Sequence, residues 1–209
     1  APFDLPKLME VADAFVHYVG SREEIMVPPI FYTKKEDADS TWHMAVVKGV
    51  RSGHDLAAAV RTVLVMEEAE AVVTVMEATR TEAQILGDDG KPIMPDPSGP
   101  MPDTSDPSRI IRGEKRDVIV VMGETRDMVL ADCTYLVTEV DERGARALEK
   151  DSREGRMGQR THFRPLFVSQ DDRLYREAVI RSMASGMNVE FVRDFHRQAG
   201  PDPFSFDMP

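Results

Sequence analysis

Apolar positions recur at helical spacing from the start of the chain. In residues 4–20, "DLPKLMEVADAFVHYVG", Leu8, Val11, Ala12, Phe15 and Val19 share one helix face. Asp4 stands at the cap, Pro6 suits the first turn, and Gly20 is placed to stop the helix in a left-handed conformation. The period then changes. "IMVPPIFYTKK" (25–35) and "TWHMAVVKGV" (41–50) predict two strands joined by the polar turn "EDADS". Pro28 and Pro29 cannot donate to a ladder, so the first strand lies at an edge or begins after them. "SGHDLAAAVRTVLVMEEAE" (52–70) returns to helical spacing through Leu56, Ala59, Val60, Val63 and Leu64, behind a Ser52/Asp55 capping pair.

"AVVTVMEATR" (71–80) follows with almost no loop. Its unbroken β-prone run predicts a central strand covered on both faces. Beyond a long polar gap, "RDVIVVMGETRDMVLADCTYLVTEV" (116–140) predicts a hairpin turning at Gly123–Asp127, and "DERGARALEK" (141–150) adds a turn and a short strand. "DSREGRMGQRTH" reads as a loop, and "FRPLFVS" is apolar without a clear period. Ser169 and Asp172 repeat the capping pattern before a helix in "DDRLYREAVIRSMA". "NVEFVRDFHRQAGP" (188–201) predicts a second C-terminal helix, capped by Asn188 and stopped by Gly200 and Pro201.

Strand pairs joined by tight turns give an α+β fold. The expected sheet is mixed or mainly antiparallel, with about five to six strands and helices packed on it. The expected organisation is an α+β domain over 1–168 containing a long irregular Pro/Asp-rich loop at 87–115, a C-terminal helical segment at 169–200, and a tail at 201–209.

That loop, "GDDGKPIMPDPSGPMPDTSDPSR" from Gly87 to Arg109, raises the question of calcium. Its aspartates are hard oxygen ligands, but no D-x-D-x-D-G run ends in a suitably placed glutamate, and prolines stiffen the chain between them. Its apolar anchors, Ile93, Met94, Met101, Ile110 and Ile111, point instead to an arm laid against a protein surface. In the tail, Phe204, Phe206 and Met208 alternate with polar residues, a pattern that adds to a sheet edge or fills a row of pockets.

Composition narrows the partners. The chain has 209 residues, 42% hydrophobic, and a formal net charge of -11. Phosphate backbones and anionic lipid repel such a protein, so the expected partner is protein, another copy included, rather than nucleic acid or membrane. Cys133 is the single cysteine, which excludes an intrachain disulfide scaffold. The N-terminus lacks a basic region followed by an apolar one, and Ala1 suits a start exposed by removal of an initiator methionine. The expected location is the cytoplasm or a particle assembled there.

Spacing argues against the common catalytic patterns. "GHDLAAAVRTVLVMEEAE" echoes the Nudix hydrolases through Gly53, Arg61, Glu67 and Glu68, but Thr62 stands where that family has a glutamate and the Glu-Glu pair comes too late. No two of the histidines His17, His43, His54, His162 and His196 share local zinc spacing. Cys133, in a strand-like run, reads as a small buried hydrophobe. Neither a phosphate loop nor a nucleophile elbow occurs, so no cofactor and no metal is expected.

Two readings follow. The first is a non-enzymatic interaction or structural protein, a homo-oligomer or a component of a larger assembly, acting through the 87–111 arm and the tail. Its 13 methionines suit adaptable contacts. The second is a metal-dependent hydrolase using Glu77, Glu124 and Asp127 at strand ends.

The middle third also resembles a pattern in small uncharacterised proteins of bacteria and their phages. "VVTVMEATR", a polar gap and "RGEKRDVIVVMGETRDMVLADCTYLVTEVDERG" match its strand, corner and hairpin. The corner is Met76-Glu77-Ala78-Thr79 here, without the group's tryptophan. The resemblance implies a strand order and no chemistry.

Overall fold

The computed structural model describes residues 4–37, 41–93, 106–151 and 163–192. Helix α1 spans Leu5–Phe15, with Asp4 accepting the Lys7 N–H at its cap. Its last turn widens into a π-helical turn, Val16–Gly20. Gly20 does not adopt the expected left-handed conformation. A Cβ there would meet Ile119 Cδ1 at 2.8 Å, so the glycine lets the helix end lie directly on the sheet. Helix α2, Gly53–Met66, begins at Ser52, whose hydroxyl accepts the Asp55 N–H. Helix α3, Arg173–Ser185, is capped by Asp172 rather than Ser169 and ends at Gly186, left-handed at φ 69°. None of these helices is long and apolar enough to cross a membrane.

Seven strands form one sheet, and every neighbouring pair is antiparallel. They are β1 Pro29–Lys34, β2 His43–Lys48, β3 Ala69–Ile85, β4 Ile110–Thr125, β5 Leu130–Val140, β6 Arg146–Lys150 and β7 Asn188–Val192, in the spatial order β6-β5-β4-β3-β1-β2-β7. The fold is therefore α+β with an antiparallel sheet, one strand larger than expected. The extra strand is β7, expected as the start of a helix. Val189, Phe191 and Val192 are β-prone, and the open edge of β2 offers their backbone a ladder.

β1 is an inner strand, flanked by β2 and β3. Pro29 sits at its first position, where a missing N–H costs no ladder bond, and its carbonyl accepts the Thr74 hydroxyl at 2.8 Å. The β4–β5 turn lies slightly beyond the expected Gly123–Asp127. Gly123 and Glu124 still pair, with Ala131 and Leu130, and the chain reverses through Arg126–Met128 with Met128 left-handed at φ 64°.

Strand alternation sorts side chains into two cores. Phe31, Val73, Val75, Ile119, Val121 and Tyr135 pack under α1 with Leu8, Ala12 and Phe15. Ile30, Tyr32, Ala45, Val47 and Val72 pack under α2 with Leu56, Val60, Val63 and Leu64, and Leu166 joins them from the 163–169 segment. The Ala71–Val75 part of β3 is thus buried on both faces, as its continuous apolar run predicts. α3 lies against α2.

Gly123 marks a tight point in this arrangement. A Cβ there would stand 2.8 Å from the Ala131 carbonyl oxygen and 3.0 Å from Leu5 Cδ1 and Met9 Sδ. Gly123→Ala is therefore expected to destabilise the fold by about 1–3 kcal/mol through overpacking. Urea denaturation should show a lower midpoint with an unchanged slope.

Candidate functional site

The three strand-end carboxylates do not converge. Glu77 lies on the α1 face, where Oε1 accepts the Ile25 N–H at 3.0 Å and an Arg146 N–H at 2.5 Å. Glu124 lies on the α2 face and is fully buried. Glu77 is paired with Ile119 and Glu124 with Val72, so they stand five positions apart along β3, roughly 16 Å. Asp127 is exposed in the β4–β5 turn. Among the described residues no group of three or more His, Cys, Asp and Glu side chains is placed to hold a metal ion.

The histidines and the cysteine occupy separate places. His43 Nε2 meets both Asp37 carboxylate oxygens, at 2.9 and 3.1 Å, and its ring stacks on Tyr32. The Tyr32 hydroxyl donates to Glu67, which also pairs with Lys34. Burial, then the Glu67 charge, raises the Tyr32 hydroxyl well above its ordinary value. His54 packs edge-on against Phe163, and His17 stands 3.7 Å from Asp13. Cys133 is buried in the core beneath α1. His162 and His196 lie outside the described residues.

One polar cluster escaped the sequence reading. Glu124 Oε1 accepts the N–H groups of Leu166 and Phe167 at 3.0 and 3.3 Å, which ties the segment before α3 to the sheet. Arg164, with 7% of its side chain exposed, donates from Nη2 to the Gly123 carbonyl and to Asp132 Oδ1, at 2.7 and 2.6 Å. Its Nε stands 3.5 Å from Glu124 Oε2. Glu124 Oε2, Arg164 Nε and Arg164 Nη1 are buried without a hydrogen-bond partner. Arg61 on α2 donates to the carbonyls of Phe163 and Pro165, at 2.7 and 3.0 Å. Burial raises the carboxyls of Glu124 and Asp132 above their ordinary values, and the neighbouring guanidinium of Arg164 opposes that shift in both. The segment "FRPLFVS" has no periodicity, so nothing local announces where Arg164 goes.

The other distinctive feature is the long pairing of β3 with β4. β1 covers β3 only over its first residues, to Thr74, and β5 covers β4 only from Val118 to Glu124. Thr79–Ile85 and 110–117 continue alone as a two-stranded ribbon about 20 Å long. The register shifts between Thr81 and Ala83. At the tip, the Ile93 N–H donates to the Ile85 carbonyl and the Leu86 N–H to the Arg109 carbonyl, while Arg109 pairs with Asp88. The irregular loop is therefore shorter than the expected 87–115. Ile110 and Ile111 begin β4, and a turn at 87–91 folds Ile93 back on Ile85. Ile93 and Ile111 are 42% and 46% exposed, and Ile110 is half-buried. Met94, Met101, Phe204, Phe206 and Met208 lie outside the described residues.

Searches of family models, curated proteins and solved structures give no match to this chain.

The Glu124 cluster has a pH signature. A carboxyl whose folded value lies above its unfolded one stabilises the fold when protonated. That contribution is complete below the ordinary carboxylate range, about pH 4, and is lost as pH rises through the folded value. Glu124→Gln removes one such group. Its unfolding free energy, from urea titrations at a series of pH values, is expected to fall less steeply above about pH 4 than that of the unaltered protein. Equal slopes would show that Glu124 titrates as an ordinary carboxylate.

Proposed function

We propose that the protein is a docking component that acts through the β3–β4 ribbon, joining a second copy of itself or another protein in a larger assembly. The observation that carries this reading is the ribbon itself. It leaves the sheet, and among its described side chains none is buried. A two-stranded ribbon alone in water is marginally stable, so a surface that covers it stabilises it. Ile85, Ile93, Ile110 and Ile111 gather aliphatic side chains at its tip, where a partner removes them from water.

Charge supports self-association. The whole chain is at -11, whereas residues 110–117 of the ribbon carry Arg112, Lys115 and Arg116 against Glu114 and Asp117. A locally basic strand on an acidic body is attracted to the body of another copy. The tail residues Phe204, Phe206 and Met208 form the second contact in this reading. The hydrolase reading finds no convergent carboxylates among the described residues.

Light scattering tests the proposal. The full chain is expected at a multiple of 23.4 kDa, and Ile93→Asp with Ile111→Asp is expected to lower that mass toward the monomer. Both side chains are exposed, so stability should change by no more than about 0.5 kcal/mol per site. A chain ending at Gly200 isolates the contribution of the tail. A full chain at 23.4 kDa would rule out self-association. An unchanged multimer in the double variant would remove the ribbon tip from the contact.

A further inference from the structure

A cleft of about 660 Å³ opens between α2 and α3. Its floor holds two arginines whose guanidinium groups are already fixed. Arg61 is held by the Phe163 and Pro165 carbonyls, through Nη2 and Nε, and makes no ion pair among the described residues. Arg164 is held by the Gly123 carbonyl and Asp132, through Nη2, and is more than nine-tenths buried. In each, Nη1 makes no hydrogen bond among the described residues, and that of Arg164 is buried. A buried N–H without an acceptor costs free energy that a bound oxyanion recovers.

The two carboxylates at the cleft, Asp55 and Glu177, are each paired with an arginine other than Arg61 and Arg164. Asp55 accepts the Arg51 N–H at 3.2 Å and an Arg181 N–H at 3.3 Å, and Glu177 pairs with Arg173 at 2.6 Å. Arg61 is half-buried; burial pushes its guanidinium below its ordinary value, and the charges of Glu124, Asp172 and Glu177 oppose that shift. Ala58, Leu174, Ala178, Ile180 and Ala184 give the cleft an apolar side, while His54, Arg181 and Ser185 add polar lining. Behind Arg164 stand Glu124 and Asp132, which repel a dianion more strongly than a monoanion. The volume suits a small molecule.

The geometry points to a binding site for a small amphipathic carboxylate, its head on Arg61 and Arg164 and its apolar body along α3. The site lies on the α2 face and is independent of the ribbon.

Calorimetric titration of the full chain tests this with hexanoate, and with inorganic phosphate and hexanol as comparison probes. Hexanoate is expected to bind saturably with a dissociation constant of about 1 mM or tighter. Phosphate, which lacks the apolar body, and hexanol, which lacks the charge, are each expected to bind at least about tenfold more weakly. Arg61→Gln should weaken hexanoate by a similar factor. Since Arg61 also secures 163–165, Ala184→Trp serves as the second variant: Ala184 is exposed on α3, and the indole fills the cleft without touching the core. Loss of hexanoate binding in Ala184→Trp supports the site. No saturable binding, binding unchanged by Ala184→Trp, or phosphate binding as tightly as hexanoate would each overturn it.

Discussion

The antiparallel pairing of β3 with β4 is the constraint on which the rest of the structure depends. It runs from Ala71 opposite Thr125 to Ile85 opposite Ile110. Its inner half is buried on both faces, because α1 covers Val73, Val75, Ile119 and Val121 while α2 covers Val72. Its outer half has neither cover. The same ladder therefore serves as the spine of the core and as the base of the arm, and its register decides which side chain meets which face.

That dependence explains how much could be read from the sequence. α1, α2 and the β4–β5 hairpin rest on local periods and caps, so Leu8, Val60 and Ser52 announce their roles within a few residues. β7 does not. Its partner β2 lies about 140 residues earlier, and a five-residue apolar alternation beside a polar run fits a short helix as well as a strand until that partner is known. The sequence points to backbone freedom at Gly20, whereas the structure uses its missing side chain.

The candidate chemistry shows the same limit. Whether Glu77 and Glu124 share a face follows from strand parity, but parity has meaning only once the β3–β4 register is set. The sequence places Glu124 at a strand end in the Gly123–Asp127 turn, whereas it lies inside the α2 face and accepts the N–H groups of Leu166 and Phe167. Arg164 reaches it from a segment without a pattern. Long-range polar pairs of this kind leave no periodic trace, which is why the Glu124–Arg164–Asp132 cluster and the cleft above it emerge only from the tertiary fold.

The place of β7 in the sheet also bears on how the chain is made. The β2 edge gains its neighbour from residues 188–192, so during synthesis every strand from β1 to β6 can leave the ribosome before that edge is closed. Through that interval Met44 to Lys48 present an open ladder of N–H and C=O groups. The nascent protein thus passes through a stage in which its own unfinished edge is a template for the wrong strand. The speed with which residues 188–192 arrive sets how long that hazard lasts.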